Sequence, residues 1–149
     1  MILADFKAFP SSGKIMGVDW GARRTGIAVT DESRDFTFAR PQIVMPRGAN
    51  DIARRVADVA AAERVVGIVI GLPVHSDGNE SDTAASVRAF ATQLSDITGL
   101  PICFIPENLT SVAAQEEMGR VRVKDIKEKL DSVSARIILE NAIAIIRRI

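Results

Sequence analysis

Residues 14–30 read KIMGVDWGARRTGIAVT, and this stretch decides the fold class. Residues 14–20 form a short apolar run that ends at Gly21, which predicts a strand followed by a turn. Residues 25–30 predict a second strand, and residues 36–44 predict a third. Two short turns between three strands predict an antiparallel meander.

The remainder of the chain alternates between helical and strand patterns. Pro41 places the third strand at an edge or a bulge, because proline cannot donate to the ladder. Strand–helix–strand units imply parallel strands, so we expect an α/β fold with a mixed five-stranded sheet flanked by helices. The later predicted elements are a helix over 51–62, a strand over 64–70, a helix over 81–98, a strand over 101–105, a helix from Thr110 or Ser111 to about Met118, a loop over 121–130 and a helix over 132–148.

Composition restricts the class of protein. The 149 residues are 47% hydrophobic and 26% charged, as expected for one folded globular domain. Nineteen basic residues balance nineteen acidic ones, which argues against binding through bulk positive charge. Five basic side chains nevertheless lie within residues 120–129, so a local nucleic-acid site is compatible with the composition.

The same sequence sets expectations about location. Cys103 is the one cysteine, which suits a reducing compartment. Residues 1–10 lack the apolar run of a signal peptide, and no stretch is long and apolar enough for a membrane span. We therefore expect a cytoplasmic protein with no membrane partner.

Three acidic residues are candidates for chemistry. Asp19 lies in the first apolar strand, Glu107 follows the strand over 101–105, and Asp131 lies at the start of the last predicted helix. If the two strands are neighbours, both carboxylates point to one end of the sheet, and the last helix can bring Asp131 to them. Three close carboxylates repel one another unless a cation is present, and oxygen ligands suit magnesium or manganese. Two such ions can support phosphodiester cleavage.

Each acid also has a structural alternative. Asp131 can serve as a helix N-cap, and Glu107 can be an ordinary loop residue. Asp19 is harder to explain in this way, although a buried ion pair with Arg23 or Arg24 would account for it.

Four motifs resemble those of the YqgF/RuvX family of Holliday-junction-resolvase-like proteins and pre-16S rRNA nucleases. They occur in the family's order and span residues 14–140. The motifs are DWGARRTGIAV at 19–29, GLP at 71–73 followed by Asp77-Gly78, ENLTSVAA at 107–114, and DSVSA at 131–135 followed by IIL at 137–139.

The resemblance implies a ribonuclease H-like fold in which Asp19, Glu107 and Asp131 are the catalytic residues and hold Mg²⁺ or Mn²⁺. Asn108 stands where family members often have arginine, so the phosphate contact of that arginine is not carried over to this chain. The resemblance begins at residue 14. We therefore predict a single nuclease domain over 14–149, preceded by an N-terminal extension over 1–13.

Basic residues suggest where nucleic acid would bind. Arg23 and Arg24 lie in the first predicted turn and can meet a phosphate, or they can be turn charges that face solvent. Arg120, Arg122 and Lys124 can clamp nucleic acid, or they can form an ordinary solvated surface.

The leading hypothesis is a metal-dependent nuclease that processes the 5′ end of precursor 16S rRNA in ribosome biogenesis. A Holliday junction resolvase acting on branched DNA is the first alternative, and a non-catalytic RNA-binding protein of ribosome assembly or transcription is another. The spacing Asp-x-Gly-x-x-x-x-Gly at 19–26 also resembles the phosphate loop of sugar kinases, but those enzymes need two domains. Nucleic acid is the expected partner, with the ribosome as a second one, and the chain can be a monomer or a homodimer.

Overall fold

The computed structural model describes residues 1–46, 48, 50–75, 77–107 and 123–149, with side chains in the last segment described from Val133 onward. The described strands are β1 (Ile2–Leu3), β2 (Ile15–Asp19), β3 (Arg24–Thr30), β4 (Thr37–Val44), β5 (Gly67–Pro73) and β6 (Ile102–Glu107). The described helices are α1 (Ile52–Glu63), α2 (Asp82–Thr98) and α3 (Val123–Ile146).

The strands form one mixed sheet in the order β1-β6-β5-β2-β3-β4. β1, β6, β5 and β2 are parallel, whereas β2, β3 and β4 form the predicted antiparallel meander. β4 lies at a sheet edge, and its pairing with β3 shifts register between Thr25 and Ile27. The prediction from Pro41 is therefore confirmed, because its missing N–H is tolerated at such an edge.

The sheet has six strands rather than the predicted five. Residues 1–13, for which the sequence suggested no role, supply β1, and the Ile102 N–H donates to the Met1 carbonyl at 2.8 Å. Phe6 and Phe9 from the same segment are buried and pack edge to face, with ring centroids 5.4 Å apart. A two-residue strand has no periodicity to detect, which is why the pattern missed it.

Two predicted boundaries are wrong. β5 continues through Gly71 to Pro73, because proline in the final position ends a strand without removing an interior ladder bond. α3 begins at Val123, so the predicted loop over 121–130 is helical from residue 123, and Asp131 lies inside the helix rather than at its N-cap. Lysine, glutamate and leucine favour helix in this stretch, although its mixed charge hides the period. The helix predicted from Thr110 or Ser111 to Met118 lies outside the described residues.

Each face of the sheet is covered by helices. α1 and α2 pack on one face over a cluster that includes Met16, Val18 and Ile27. α3 packs on the other face, together with Phe6 and Phe9, over a cluster that includes Ile15 and Ala28. Side chains therefore alternate between the two cores along β2 and β3, as expected for strands buried on both faces.

Candidate active site

Two of the predicted acids lie at one edge of the sheet. Asp19 is the last residue of β2 and Glu107 is the last residue of β6, and both are half-buried. β5 lies between these strands, and all three run parallel. Their carboxyl ends therefore meet at the same edge, which is where ligands bind in open α/β sheets.

Both acids also lie on the face that α3 covers. Cys103 and Ile105 belong to the core under α3, and Glu107 follows Ile105 by two residues. On β2, an added Cβ at Gly17 would lie 2.8 Å from the Ala135 carbonyl oxygen of α3, and Asp19 follows Gly17 by two residues. Because strand side chains alternate with a period of two, Asp19 and Glu107 share this face.

The two carboxyl groups interact directly. Burial raises the pKa of Glu107 above its usual value, and a side-chain hydrogen bond with Asp19 offsets part of that rise. The fold thus brings two like charges together and half-buries them, an arrangement that favours either a proton or a cation between them.

Gly71 makes this contact between the two acids possible. It lies on β5 between the two acid-bearing strands, whose backbones are about 10 Å apart. A Cβ added at Gly71 would lie 2.8 Å from Oε2 of Glu107 and 2.5 Å from Cδ1 of Ile138 in α3. The missing side chain therefore leaves room for both the Glu107 carboxylate and the helix. The sequence places Gly71 in the GLP motif, directly after the predicted strand over 64–70, but it does not reveal which side chains lie beside this glycine.

α3 runs antiparallel to β2. Ala135 lies over Gly17, whereas Glu140 accepts a hydrogen bond from Thr37 Oγ1 at 3.0 Å. Thr37 pairs with Thr30, whose Oγ1 accepts from the Ile15 N–H at the start of β2. The N-terminal part of α3, which includes Asp131, therefore extends toward the end of β2 that bears Asp19. The side chain of Asp131 lies outside the described part of the chain.

The described side chains do not by themselves complete a metal site. Among them, no three Asp, Glu, His or Cys residues come together in a group that could hold an ion. Asp19 and Glu107 provide two adjacent carboxyl groups, and a third acidic ligand would have to come from a side chain outside this set.

Two of the predicted nucleic-acid-binding residues lie in the described part of the chain. Arg23 lies in the turn between β2 and β3 and Arg24 is the first residue of β3; both are exposed, and they follow Asp19 by four and five residues. The Met45 N–H donates to the Arg23 carbonyl at 2.7 Å, which fixes the backbone of this turn. Arg120 and Arg122 lie outside the described residues, and Lys124 lies in α3 with its side chain outside them.

The architecture is that of a ribonuclease H-like α/β protein, as predicted. A solved structure of Thermus thermophilus RuvC in complex with a Holliday junction substrate matches it with a TM-score of 0.55 and 12% sequence identity. The match covers 89% of this chain and 94% of that one. At this level of identity, the match establishes the fold alone.

The family follows from the sequence comparisons. The model of the RuvX family, described as Holliday junction resolvase, matches residues 13–144. A Rhodopirellula baltica protein named "Putative pre-16S rRNA nuclease" is 38% identical over 136 residues, which cover 89% of this chain and 78% of the relative. A protein of the same name from Maridesulfovibrio salexigens is 38% identical over 134 residues, which cover 88% of this chain and 98% of the relative. The chain belongs to the RuvX family, and the resemblance seen in the motifs is confirmed.

In the described ranges, no helix combines the length and the apolar character needed to cross a bilayer.

Proposed function

We propose that this protein is a divalent-metal-dependent nuclease in which Asp19, Glu107 and Asp131 are the catalytic residues. The hydrogen-bonded pair of Asp19 and Glu107 at the carboxyl edge of the sheet is the observation that supports this proposal. β5 lies between the two strands that bear these acids. The gap at Gly71 of β5 gives the Glu107 carboxylate room to reach toward Asp19.

The donor chemistry of the pair fits Mg²⁺ or Mn²⁺. Carboxylate oxygens are the ligands these hard cations prefer, and two adjacent carboxylates gain most from a shared cation. Asp131 lies one helical turn before Ala135, so its position on α3 suits a third ligand for the same ions. Such ions, when bound, supply a water of lowered pKa and neutralise charge on the phosphodiester.

The residues of the chain then have separate tasks. Asp19 is fixed by the strand ladder, where it pairs with Gly26, and Glu107 is fixed by its register with Pro73. Rigid strands of this kind hold ligands in place with little loss of entropy on binding. Arg23 and Arg24 lie beside the acids at the exposed turn, and we propose that they hold backbone phosphates. We extend the same proposal to Arg120, Arg122 and Lys124.

We propose precursor 16S rRNA as the substrate, cleaved at its 5′ end during ribosome biogenesis. The names of the curated relatives support this choice. Branched DNA is the second candidate, because the matching family model is described as Holliday junction resolvase. The proposal further includes a cytoplasmic location and association with the ribosome, as a monomer or a homodimer.

The test is cleavage of a precursor 16S rRNA fragment and a four-way DNA junction, each with and without Mg²⁺ or Mn²⁺. We expect metal-dependent cleavage that Asp19→Asn and Glu107→Gln each abolish. Both variants keep an oxygen for the hydrogen bond but remove the charge, so folding is preserved. Asp58→Asn, at an exposed position on α1, is the matched control and should cleave normally.

Comparing the cleavage rates of the two substrates distinguishes rRNA processing from junction resolution. Faster cleavage of the rRNA fragment would support rRNA processing, and faster cleavage of the junction would support a resolvase. RNA binding that is independent of metal, with no cleavage of either substrate, would indicate a non-catalytic protein and contradict the proposal.

A further inference from the structure

We propose that the free edge of strand β4 is the interface of a symmetric homodimer, in which β4 pairs antiparallel with β4 of a second copy of this chain. β4 is the last strand of the sheet, and no strand in the described part of the chain pairs with its outer side. An edge strand of this kind is a template for pairing with another chain. The interface uses none of the proposed catalytic residues.

The pairing of β4 with β3 determines which backbone groups of β4 point outward. The Asp31 N–H donates to the Phe36 carbonyl at 3.3 Å, so these two residues form a hydrogen-bonded pair. Bonded and non-bonded pairs alternate along an antiparallel ladder. Phe38 is therefore bonded to β3, whereas the N–H and C=O groups of Thr37 and Ala39 point away from it. Those groups are available to a further strand.

The same edge carries exposed aromatic side chains. Phe36 is 65% exposed and Phe38 is 44% exposed, whereas Phe6 and Phe9 are buried. Phe36, Phe38 and Arg40 are spaced by two residues, so they share one face of the strand. The Arg40 guanidinium lies over the Phe38 ring, 5.8 Å from its centroid. Exposed apolar surface of this kind is typical of an interaction site.

The edge is self-complementary about Phe38, which favours a second copy of the chain as its partner. A two-fold axis at this residue places Phe38 opposite the same residue of the second copy, as an aromatic pair. Thr37 of each copy then lies opposite Ala39 of the other, and their outward groups form four ladder bonds. Phe36 lies opposite Arg40 of the second copy, which permits a cation–π contact.

Neither charge nor Pro41 prevents this pairing. Arg40 is neutralised within its own chain by Glu63 at 2.7 Å, and the whole chain has a formal net charge of zero. Pro41 lacks an N–H, but it lies two residues beyond Ala39 and outside the four ladder bonds. Proline therefore limits the length of the paired segment without removing a bond from it.

The symmetry also determines where the two active sites lie. The axis is perpendicular to the sheet, so α3 covers the same face in both copies. Phe38 pairs with Val29, Val29 pairs with Met16, and Asp19 follows Met16 by three residues on β2. With about 3.3 Å per residue and about 4.8 Å between strands, the two copies of Asp19 lie about 30 Å apart. This spacing matters for cleavage only if the proposed nuclease function is correct, whereas the interface does not depend on that function.

The experiment measures the mass of the full chain by analytical ultracentrifugation between about 1 μM and about 500 μM. We expect a reversible dimer with a dissociation constant on the order of 10–100 μM, because a short strand pair buries less than the roughly 1,600 Å² of a typical stable interface. No cleavage is measured, so the result is independent of the proposed nuclease function.

Three variants locate the interface. Phe38→Lys places two like charges at the axis and should weaken dimerisation about ten-fold or more. Ile97→Lys is the matched control, because Ile97 is 43% exposed but lies on α2, and it should dimerise normally. Ala39→Pro removes an outward N–H and should also weaken dimerisation about ten-fold. If Ala39→Pro fails to fold, Phe38→Lys decides the matter from an exposed position.

A mixture of two variants tests the position of the axis. Phe38→Lys and Phe38→Glu should each dimerise poorly alone, because each repels its own copy. Mixed in equal amounts, they place opposite charges across the axis and should associate about ten-fold more tightly than either alone.

Three results would overturn the proposal. The first is a chain that stays monomeric over the whole concentration range. The second is a dimer that Phe38→Lys leaves as tight as Ile97→Lys does, since the interface would then lie elsewhere. The third is a mixture of Phe38→Lys and Phe38→Glu that associates no better than its components, which would exclude a two-fold axis at Phe38.

Discussion

Acidic side chains have different kinds of partner at the two ends of strand β2. At the start of the strand, Glu63 accepts hydrogen bonds from Lys14 at 3.0 Å and Arg40 at 2.7 Å, so two basic side chains compensate this acid. At the end of the strand, Asp19 and Glu107 have been brought next to each other. The first arrangement stabilises the fold. The second places two carboxyl groups side by side, and these repel each other when both are ionised. Acids that adjoin one another add less to stability than acids paired with bases, which supports the proposal that those at the carboxyl edge bind a ligand.

Removing a carboxylate at the carboxyl edge should have the largest effect. We expect Asp19→Asn to lower the cleavage rate on the order of 10²-fold or more, because it removes a charged metal ligand. The melting temperature should stay the same or rise, because the repulsion with Glu107 disappears. Cleavage assays and thermal melts of the same preparation check both parts. Normal cleavage by Asp19→Asn would contradict the proposal that the acid at the end of β2 serves catalysis.

Removing an aromatic ring at the opposite end should affect stability instead. Phe9 is 5% exposed and packs against Gly67 at the start of β5. We expect Phe9→Ala to lower the free energy of unfolding by about 3–4 kcal/mol, since it leaves a cavity in the core under α3. Urea unfolding measures this change. Cleavage by the folded fraction should match the unaltered chain, and a selective loss of activity would contradict the separation of the two ends.

A side chain at Gly71 should affect both properties at once. We expect Gly71→Ala to cost about 1–3 kcal/mol of stability and to weaken metal binding, because the new methyl group contacts Ile138 and Glu107. The double variant Gly71→Ala/Ile138→Val removes the contacting Cδ1 atom of the helix residue. It should recover stability in urea unfolding but not Mn²⁺ affinity in calorimetry. Recovery of both would mean that Gly71 serves helix packing alone.

The compensated acid should give the smallest effect, with a definite pH dependence. The hydrogen bond from Arg40 is the main cause that lowers the pKa of Glu63 below its usual value of 4.5, and Lys14 adds to it. The pairing therefore stabilises the fold above about pH 4.5 and is lost as the pH falls through the lower folded pKa. We expect Glu63→Gln to cost about 1 kcal/mol or less at pH 7. The difference between the melting temperatures of the two proteins should shrink as the pH is lowered below 4.5, and a constant difference would contradict this assignment.

The order of β2 to β6 along the chain and the family could be predicted from the sequence, because local patterns and motifs encode them, whereas the order of the strands within the sheet was not predicted. The apolar run that ends at Asp19 and the one before Glu107 give the two strands, and the four motifs give the family. The sequence indicated a shared edge for both acids on the condition that their strands are neighbours. β5 in fact lies between β2 and β6, and the acids share the edge because all three strands run parallel.

The features that were missed depend on contacts between distant residues. The sequence places Gly71 in the GLP motif but does not show that it forms the gap between two carboxyl groups, because its neighbours come from β6 and α3. Arg34 lies in the polar segment ESRD, which is typical of an exposed turn, yet the residue is only 5% exposed and its Nε donates to the Gly13 carbonyl at 2.7 Å. The start of α3 was misplaced because its mixed charges conceal the helical period.

Anomalous diffraction from crystals soaked in Mn²⁺ tests the central claim most directly. The account predicts a manganese peak coordinated by carboxylate oxygens of Asp19 and Glu107, with Asp131 from α3 as a third ligand. The same soak of Glu107→Gln crystals should show a weaker peak or none. Manganese bound only elsewhere, or an Asp19–Glu107 pair that keeps its hydrogen bond at saturating Mn²⁺, would contradict the account.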